Sequence, residues 1–284
     1  MGQLRVDLGF RDAVLLKERL GEDGVHVQGG CLDDPALPRV RHRAHAAGSR
    51  QLGDPDDPLL VSVRSGAPVS MPGMMDTILN LGLTDAGAAG LARVTGDEAF
   101  AADCLRRLRE GYRDVIGADN LPDDPWDQLR MAVDAVFRSW NSDRARAYRQ
   151  REGIPDDLGT AVTVQAMVFG NRGADSATGV LFTRDPSTGE PQPYGDVMFE
   201  AQGEDVVSGG MEPQPISVLA ERLPDVAGEL RQHAELLERH TADLCDIEFT
   251  VERNKLWMLQ TRVGKRTGPA ALRMAVDMTK GRAW

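Results

Sequence analysis

Over the first 50 residues apolar and polar positions follow one another with little order. Residues 13–20 have the spacing of a short helix, Val25-His26-Val27 that of a strand, and 39–50 form a basic, helix-compatible stretch. Gly53-Asp54-Pro55-Asp56-Asp57-Pro58 is a turn or linker. The continuous apolar run Leu59-Leu60-Val61-Ser62-Val63 then predicts a buried strand running into Arg64-Ser65-Gly66-Ala67. Ser70-Met71-Pro72-Gly73-Met74-Met75 is too broken by Pro and Gly to be regular, and Asp76 is expected to cap a helical run through Leu81. Apolar residues recur at helical spacing over 98–116 and 126–148 (Leu129, Val133, Val136, Phe137, Trp140), with a polar loop over 117–125. The second half reads as strands over 160–169, 179–183 and 197–202, and a loop over 203–215. An amphipathic helix over 224–241, a hairpin over 244–262 and a last helix over 269–279 follow. Mixed strands and helices with hairpins make this an α+β chain.

Composition narrows the class. With 284 residues, 41% hydrophobic and 27% charged, the chain is long enough to bury a core without disulfides. No run of about 18 apolar residues predicts a membrane span, and the start lacks an apolar signal core. The net charge of −11 argues against a nucleic-acid partner, which requires clustered positive charge, but leaves a nucleotide open, because a pocket needs only local cations. Cys31, Cys104 and Cys245 are far apart and form no C-x-x-C pair, so reduced packing thiols and a cytoplasmic location are expected. His42 and His45 lack a third ligand at metal-binding spacing, and no Ser/His/Asp nucleophile motif occurs.

The hairpin carries the most chemistry. Asp246-Ile247-Glu248-Phe249-Thr250-Val251-Glu252 alternates, and so does Leu256-Trp257-Met258-Leu259-Gln260-Thr261-Arg262. A three-residue loop at 253–255 pairs Glu252 with Leu256, Thr250 with Met258, Glu248 with Gln260 and Asp246 with Arg262. Ile247, Phe249, Val251, Trp257, Leu259 and Thr261 then share an apolar face, and Asp246, Glu248, Gln260 and Arg262 the opposite one. A two-residue loop would slip the register and mix the faces. The polar face reads either as a Mg²⁺ site, with Glu248 and Gln260 as oxygen ligands and Arg262 on a phosphate, or as a solvated face with a cross-strand Asp246–Arg262 ion pair.

Taken together, several runs resemble the nucleotide-binding domain of the pyruvate, phosphate dikinase family. They are 60–67 with Ser70-Met71-Pro72-Gly73-Met74-Met75-Asp76-Thr77 and its continuation to Leu83, Ala135-Val136-Phe137-Arg138-Ser139-Trp140-Asn141-Ser142, and Gln165-Ala166-Met167-Val168-Phe169-Gly170-Asn171. Phe182-Thr183-Arg184-Asp185-Pro186-Ser187-Thr188-Gly189-Glu190, Ala201-Gln202-Gly203-Glu204-Asp205-Val206-Val207 and the hairpin complete the likeness, which covers about 54–278. The resemblance implies an ATP-grasp fold, with ATP and Mg²⁺ held between two α+β lobes. It divides the chain into a divergent N-terminal part (1–53), the remainder of the first lobe (54–158) and a second lobe with the metal-binding hairpin (159–284). It also implies roles: Arg64 on phosphates, Gly73 and Thr77 in the loop over them, Gln165 and Met167 bordering the adenine, and Glu204 near the nucleoside. Glu248 and Gln260 would ligate the metal, with Asp246 supporting them and Arg262 on the phosphates.

Two departures stand beside it. The family's early ATP-binding Lys falls near Phe10, next to Arg11, and Met211 stands where the family usually has an Arg. No phosphohistidine motif or pyruvate-binding barrel occurs in these residues, so the acceptor is expected to be a histidine on a separate domain or protein, or a different nucleophile. The two functional expectations are an ATP-dependent phosphotransferase module and a degenerate, non-catalytic nucleotide-binding module.

Overall fold

The computed structural model describes residues 4–7, 25–28, 50–69, 71–118, 120–208 and 212–280. The expected helix over 13–20, most of the basic stretch over 39–50, and Phe10, Arg11, His42, His45 and Met211 lie outside the described residues, as does Cys31. The chain divides into two compact units, Met1–Met167 and Val168–Trp284.

The first unit is built on a five-stranded sheet in the order β1-β2-β5-β3-β4, where β1 is Leu4–Asp7, β2 Val25–Gln28, β3 Val61–Ser65, β4 Thr77–Leu81 and β5 Val162–Ala166. β1 and β2 pair in parallel; the other neighbours are antiparallel. Four helices complete the unit: α1 (Asp85–Thr95), α2 (Glu98–Ile116), α3 (Pro125–Ser139) and α4 (Asp143–Glu152). Their starts follow local chemistry, since Thr84, Asp97, Asp124 and Ser142 each accept a hydrogen bond from a first-turn backbone N–H. Val63, Ile78, Leu81, Leu108, Tyr112 and Val136 form its interior, each at most 1% exposed.

Three expectations change here. Thr77–Leu81 is a strand rather than a helix, because its apolar residues pair with β3 and Asn80 adopts φ +61 at the irregularity between the Val61 and Val63 pairings. The expected helix over 126–148 is two helices, interrupted at Trp140, where Ser142 caps a new start. The boundary expected near residue 158 moves to Met167, because β5 hydrogen-bonds to β3 and so belongs to the first sheet. Helix α1 was not anticipated from the pattern.

The second unit holds a five-stranded antiparallel sheet in the order β10-β9-β6-β7-β8. Here β6 is Ala177–Phe182, β7 Tyr194–Phe199, β8 Gln214–Pro215, β9 Cys245–Glu252 and β10 Lys255–Val263. Its helices are α5 (Gly203–Ser208), α6 (Ser217–Arg222), α7 (Pro224–Thr241) and α8 (Gly268–Thr279). Residues 203–208 are therefore helical where a loop was expected; the Asp205 carboxylate accepts the Gln202 N–H at 2.8 Å and anchors that start. Val226, Leu230 and Ala234 of α7 pack in one core with Leu181, Ile247, Phe249 and Val251.

Candidate functional site

The second unit's site rests on the β9–β10 hairpin. Its connection has two residues, Arg253 and Asn254, both at positive φ (+50° and +62°), the primed-turn geometry that matches strand twist. The Arg253 N–H donates to Ser176 Oγ at 3.0 Å and the Asn254 N–H to Asp175 O at 2.9 Å, which holds this uncommon conformation. Near the turn the register is thus one residue away from that expected: Leu256 faces Val251 and Met258 faces Phe249. Leu256 and Met258 enter the core, and Trp257 turns to the opposite face, with Lys255 Nζ 3.9 Å from its ring centre. A bulge at Leu259 then takes up the extra residue. Beyond it Gln260 faces Glu248 and Arg262 faces Asp246, as expected.

The register follows from the apolar side. Ile247, Phe249 and Val251 are fully buried, each worth about 1.5–3 kcal/mol. A partly exposed ion pair contributes at most about 1 kcal/mol. Hydrophobic burial therefore presents the charged set; the charges do not assemble themselves.

On the polar face the Arg262 guanidinium bridges both carboxylates, 2.6 Å from Glu248 Oε1 and 3.4 Å from Asp246 Oδ2. Arg262 Nε is buried yet makes no hydrogen bond, so its 3.4 Å approach to Asp246 is an ion pair without alignment. The Asp246 carboxyl is pushed above its ordinary value of 3.8, chiefly by burial; Arg262 opposes the shift and Glu248 adds to it. The donor set is hard oxygen: two carboxylates and a carboxamide side by side. It fits a cation such as Mg²⁺, which takes one or two protein carboxylates and keeps waters or phosphate oxygens. Among the described residues no group of three or more His, Cys, Asp or Glu is arranged to hold a metal ion.

A pH experiment reads the Asp246 environment directly. The folded protein retains this proton at pH values where the unfolded chain has released it. The group therefore favours the folded state most below the ordinary value of 3.8, and that contribution disappears as pH rises through the shifted pKa. Asp246→Asn is expected to flatten this descent in melting temperature as pH rises above 3.8. An unchanged profile would show that Asp246 is not the group responsible.

In the first unit, strand pairing puts four of the remaining expected residues on one sheet face. Arg64 lies opposite Thr77 on one side and Thr163 on the other, and Ser62 lies opposite Gln165. The Met167 N–H donates to Leu60 O at 2.9 Å, extending the same register, so Arg64, Thr77, Gln165 and Met167 all project from the face opposite Val63 and Ile78. Gly73 sits at φ +69 in the β3–β4 connection, one residue after Pro72, with the Met74 N–H on Met71 O at 3.1 Å, the pattern of a type II turn. Glu204 lies in the first turn of α5. Thr163 and Trp257 were not singled out from the sequence. A register shift alone reveals Trp257, and Thr163 becomes visible only as the cross-strand partner of Arg64.

A separate cavity of about 220 Å³ is lined by Leu181, Ile216, Leu219, Leu230 and Arg231 among others, and contains none of these residues. Among the described residues no helix is long and apolar enough to cross a membrane.

The mixed helices and largely antiparallel sheets of the two units give the chain the α+β fold class of an ATP-grasp protein. Comparison with known proteins makes this specific: residues 41–227 match the family described as the pyruvate phosphate dikinase AMP/ATP-binding domain. The chain belongs to that family. It is 47% identical over 276 residues to the pyruvate, phosphate dikinase of Clostridium symbiosum, an alignment covering 81% of this chain and 32% of that protein. The chloroplastic enzyme of Flaveria trinervia is 46% identical over 276 residues, covering 81% of this chain and 29% of that protein. The chloroplastic pyruvate, phosphate dikinase 1 of Zea mays is 46% identical over 273 residues, covering 80% and 29%. The chain thus spans about a third of the length of these relatives.

Proposed function

We propose that this chain binds Mg-ATP and delivers a phosphoryl group from it to a histidine carried on a separate domain or protein, or to another acceptor. The observation that carries this reading is the restored register beyond the bulge, which sets Glu248 beside Gln260 and Asp246 beside Arg262 on one face. In this reading Glu248 and Gln260 hold the metal, and Asp246 supports the set. Mg²⁺, when bound, would neutralise phosphate charge as it develops in the transfer. Arg262, already within reach of Glu248, would turn its guanidinium to phosphate oxygens, and Arg64 would also contact phosphates. Gly73 and Thr77 would cover the phosphates, Gln165 and Met167 would border the adenine, and Glu204 would lie near the nucleoside. Transfer breaks a P–O bond of ATP and forms a P–N bond to the acceptor imidazole, whose proton leaves to solvent or a base; the nucleotide leaves with the bridging oxygen. The buried, free thiols Cys104 and Cys245 suit a reducing, cytoplasmic setting.

A second reading, a nucleotide-binding module without transfer, is favoured by Phe10 and Met211 at positions where the family carries cations. One experiment separates the two. The purified chain is incubated with Mg²⁺ and phosphate-labelled ATP, with and without a phosphohistidine domain supplied separately. Label on the added domain is the expected result. ATP binding with an intact fold but no transfer would replace the enzyme reading with the second one.

A further inference from the structure

The run containing Ser139 and Trp140 resembles the family but has no role in the site described above. Its place in the fold supplies one. Between Gly73 and β4 the chain is held at three points by α3 and α4. Arg144 Nε donates to Met74 O at 3.2 Å, and its Nη2 pairs with the Asp76 carboxylate. Ser139 Oγ accepts the Asp76 N–H at 3.2 Å and donates to Val136 O at 2.7 Å. Both polar groups of Asp76 that face the helices are thereby engaged, one residue before Thr77 opens the strand opposite Arg64.

The platform is itself buried and hydrogen-bonded. Arg149, 1% exposed, stacks 4.2 Å from the Trp140 ring centre and donates to Asp156 Oδ1 at 2.8 Å. Trp140 Nε1 donates to Asp156 O at 3.1 Å. Met71, Trp140, Ala145 and Tyr148 pack in one cluster, with Met74 and Met75 against it. The other end of the loop is open: a Cβ built on Gly73 would meet nothing within 4 Å. A buried base, a pinned flank and an open glycine tip are what a phosphate-covering loop requires if its backbone N–H groups are to be aimed before ligand arrives.

We propose that Arg144 and Ser139 are positioning residues: with Asp76 they form a latch that sets the Met71–Thr77 loop for the phosphates of ATP. The proposal rests on the nucleotide reading above. The latch is half exposed at Arg144, with a side-chain exposure of 53%, so its effect on affinity is modest and appears in the phosphates alone.

The test compares binding of Mg-AMP-PNP, a non-hydrolysable ATP analogue, with binding of adenosine by calorimetry, using the full chain. Arg144→Ala and Ser139→Ala should each weaken Mg-AMP-PNP by roughly 3- to 10-fold while leaving adenosine within about 2-fold. Arg144→Lys keeps the charge without the two-pronged reach and should recover part of the loss. Amide hydrogen exchange at Asp76, measured without nucleotide, should accelerate in both alanine variants. Equal loss for adenosine and Mg-AMP-PNP, or unchanged affinity and exchange, would overturn the latch. Failure of the unmodified chain to bind Mg-AMP-PNP would instead sink the nucleotide reading, and the exchange measurement would still report whether Asp76 is held.

Discussion

Glu248→Ala should weaken Mg-ATP binding by about 100-fold or more while leaving the fold intact. Loss of a group that only supports a metal ligand costs 10–100-fold, so removal of a ligand lies at or beyond the upper end. The side chain is one-fifth exposed and stands on the polar face, so truncation opens no core cavity. Arg262 loses its 2.6 Å partner and keeps Asp246 at 3.4 Å. Titration calorimetry with Mg-ATP, paired with a thermal melt, reads both effects. Glu248→Gln preserves an oxygen but not the charge and should fall between wild type and alanine. Wild-type affinity in the alanine variant would sink the assignment of the hairpin as the metal face, whatever the chain then proved to bind.

The largest stability effect is expected away from the site, at Glu238→Ala. Arg184 is fully buried, with its guanidinium 2.8 Å from Glu238 Oε1 and 3.3 Å from Asp277 Oδ2. Those contacts tie the segment after β6 to α7 and α8. Glu238 is 1% exposed, and its Oε2 has no hydrogen-bond partner among the described residues. Removing the carboxylate takes the 2.8 Å partner away from a fully buried cation, which costs about 3–5 kcal/mol. For a chain of this size that is roughly a 10 °C fall in melting temperature. The double replacement Arg184→Met with Glu238→Leu removes both charges and should be far better tolerated. If the single and double variants lose equal stability, the penalty is one of packing rather than of an unpaired charge. Thermal melts and urea midpoints on the three proteins decide this.

The hairpin shows how legible the site was. Strict alternation in Asp246–Glu252 identifies the two faces of β9 without a structure, because a strand has a period of two. β10 alternates equally well, but alternation cannot place a bulge. Two opposite readings of its turn half fit the same residues, and the actual one depends on Ser176 and Asp175, remote in sequence, holding Arg253 and Asn254 at positive φ. The bulge at Leu259 then cancels the slip before the functional residues. The expected site face therefore emerged from an incorrect turn.

Thr77–Leu81 failed for a different reason. Five residues with two polar members fit a helix turn as well as a strand, and the choice was made by β3, which offers unpaired backbone groups to a neighbour. Helical spacing through Trp140 similarly concealed a break, because Ser142 is both a tolerable helix residue and a good cap.

What the sequence by itself determined is chemistry of short range: the α+β class, the long helices over 98–116 and 224–241, the two faces of β9, and which acidic, amide and guanidinium groups share a face. Family likeness added the roles proposed for them. Only the tertiary structure decided that Thr77 stands opposite Arg64, that β5 joins the first sheet, and that Ser139 and Arg144 hold Asp76. Those pairings join residues up to about a hundred positions apart. No local periodicity encodes them, since each depends on which surfaces meet when the core is buried.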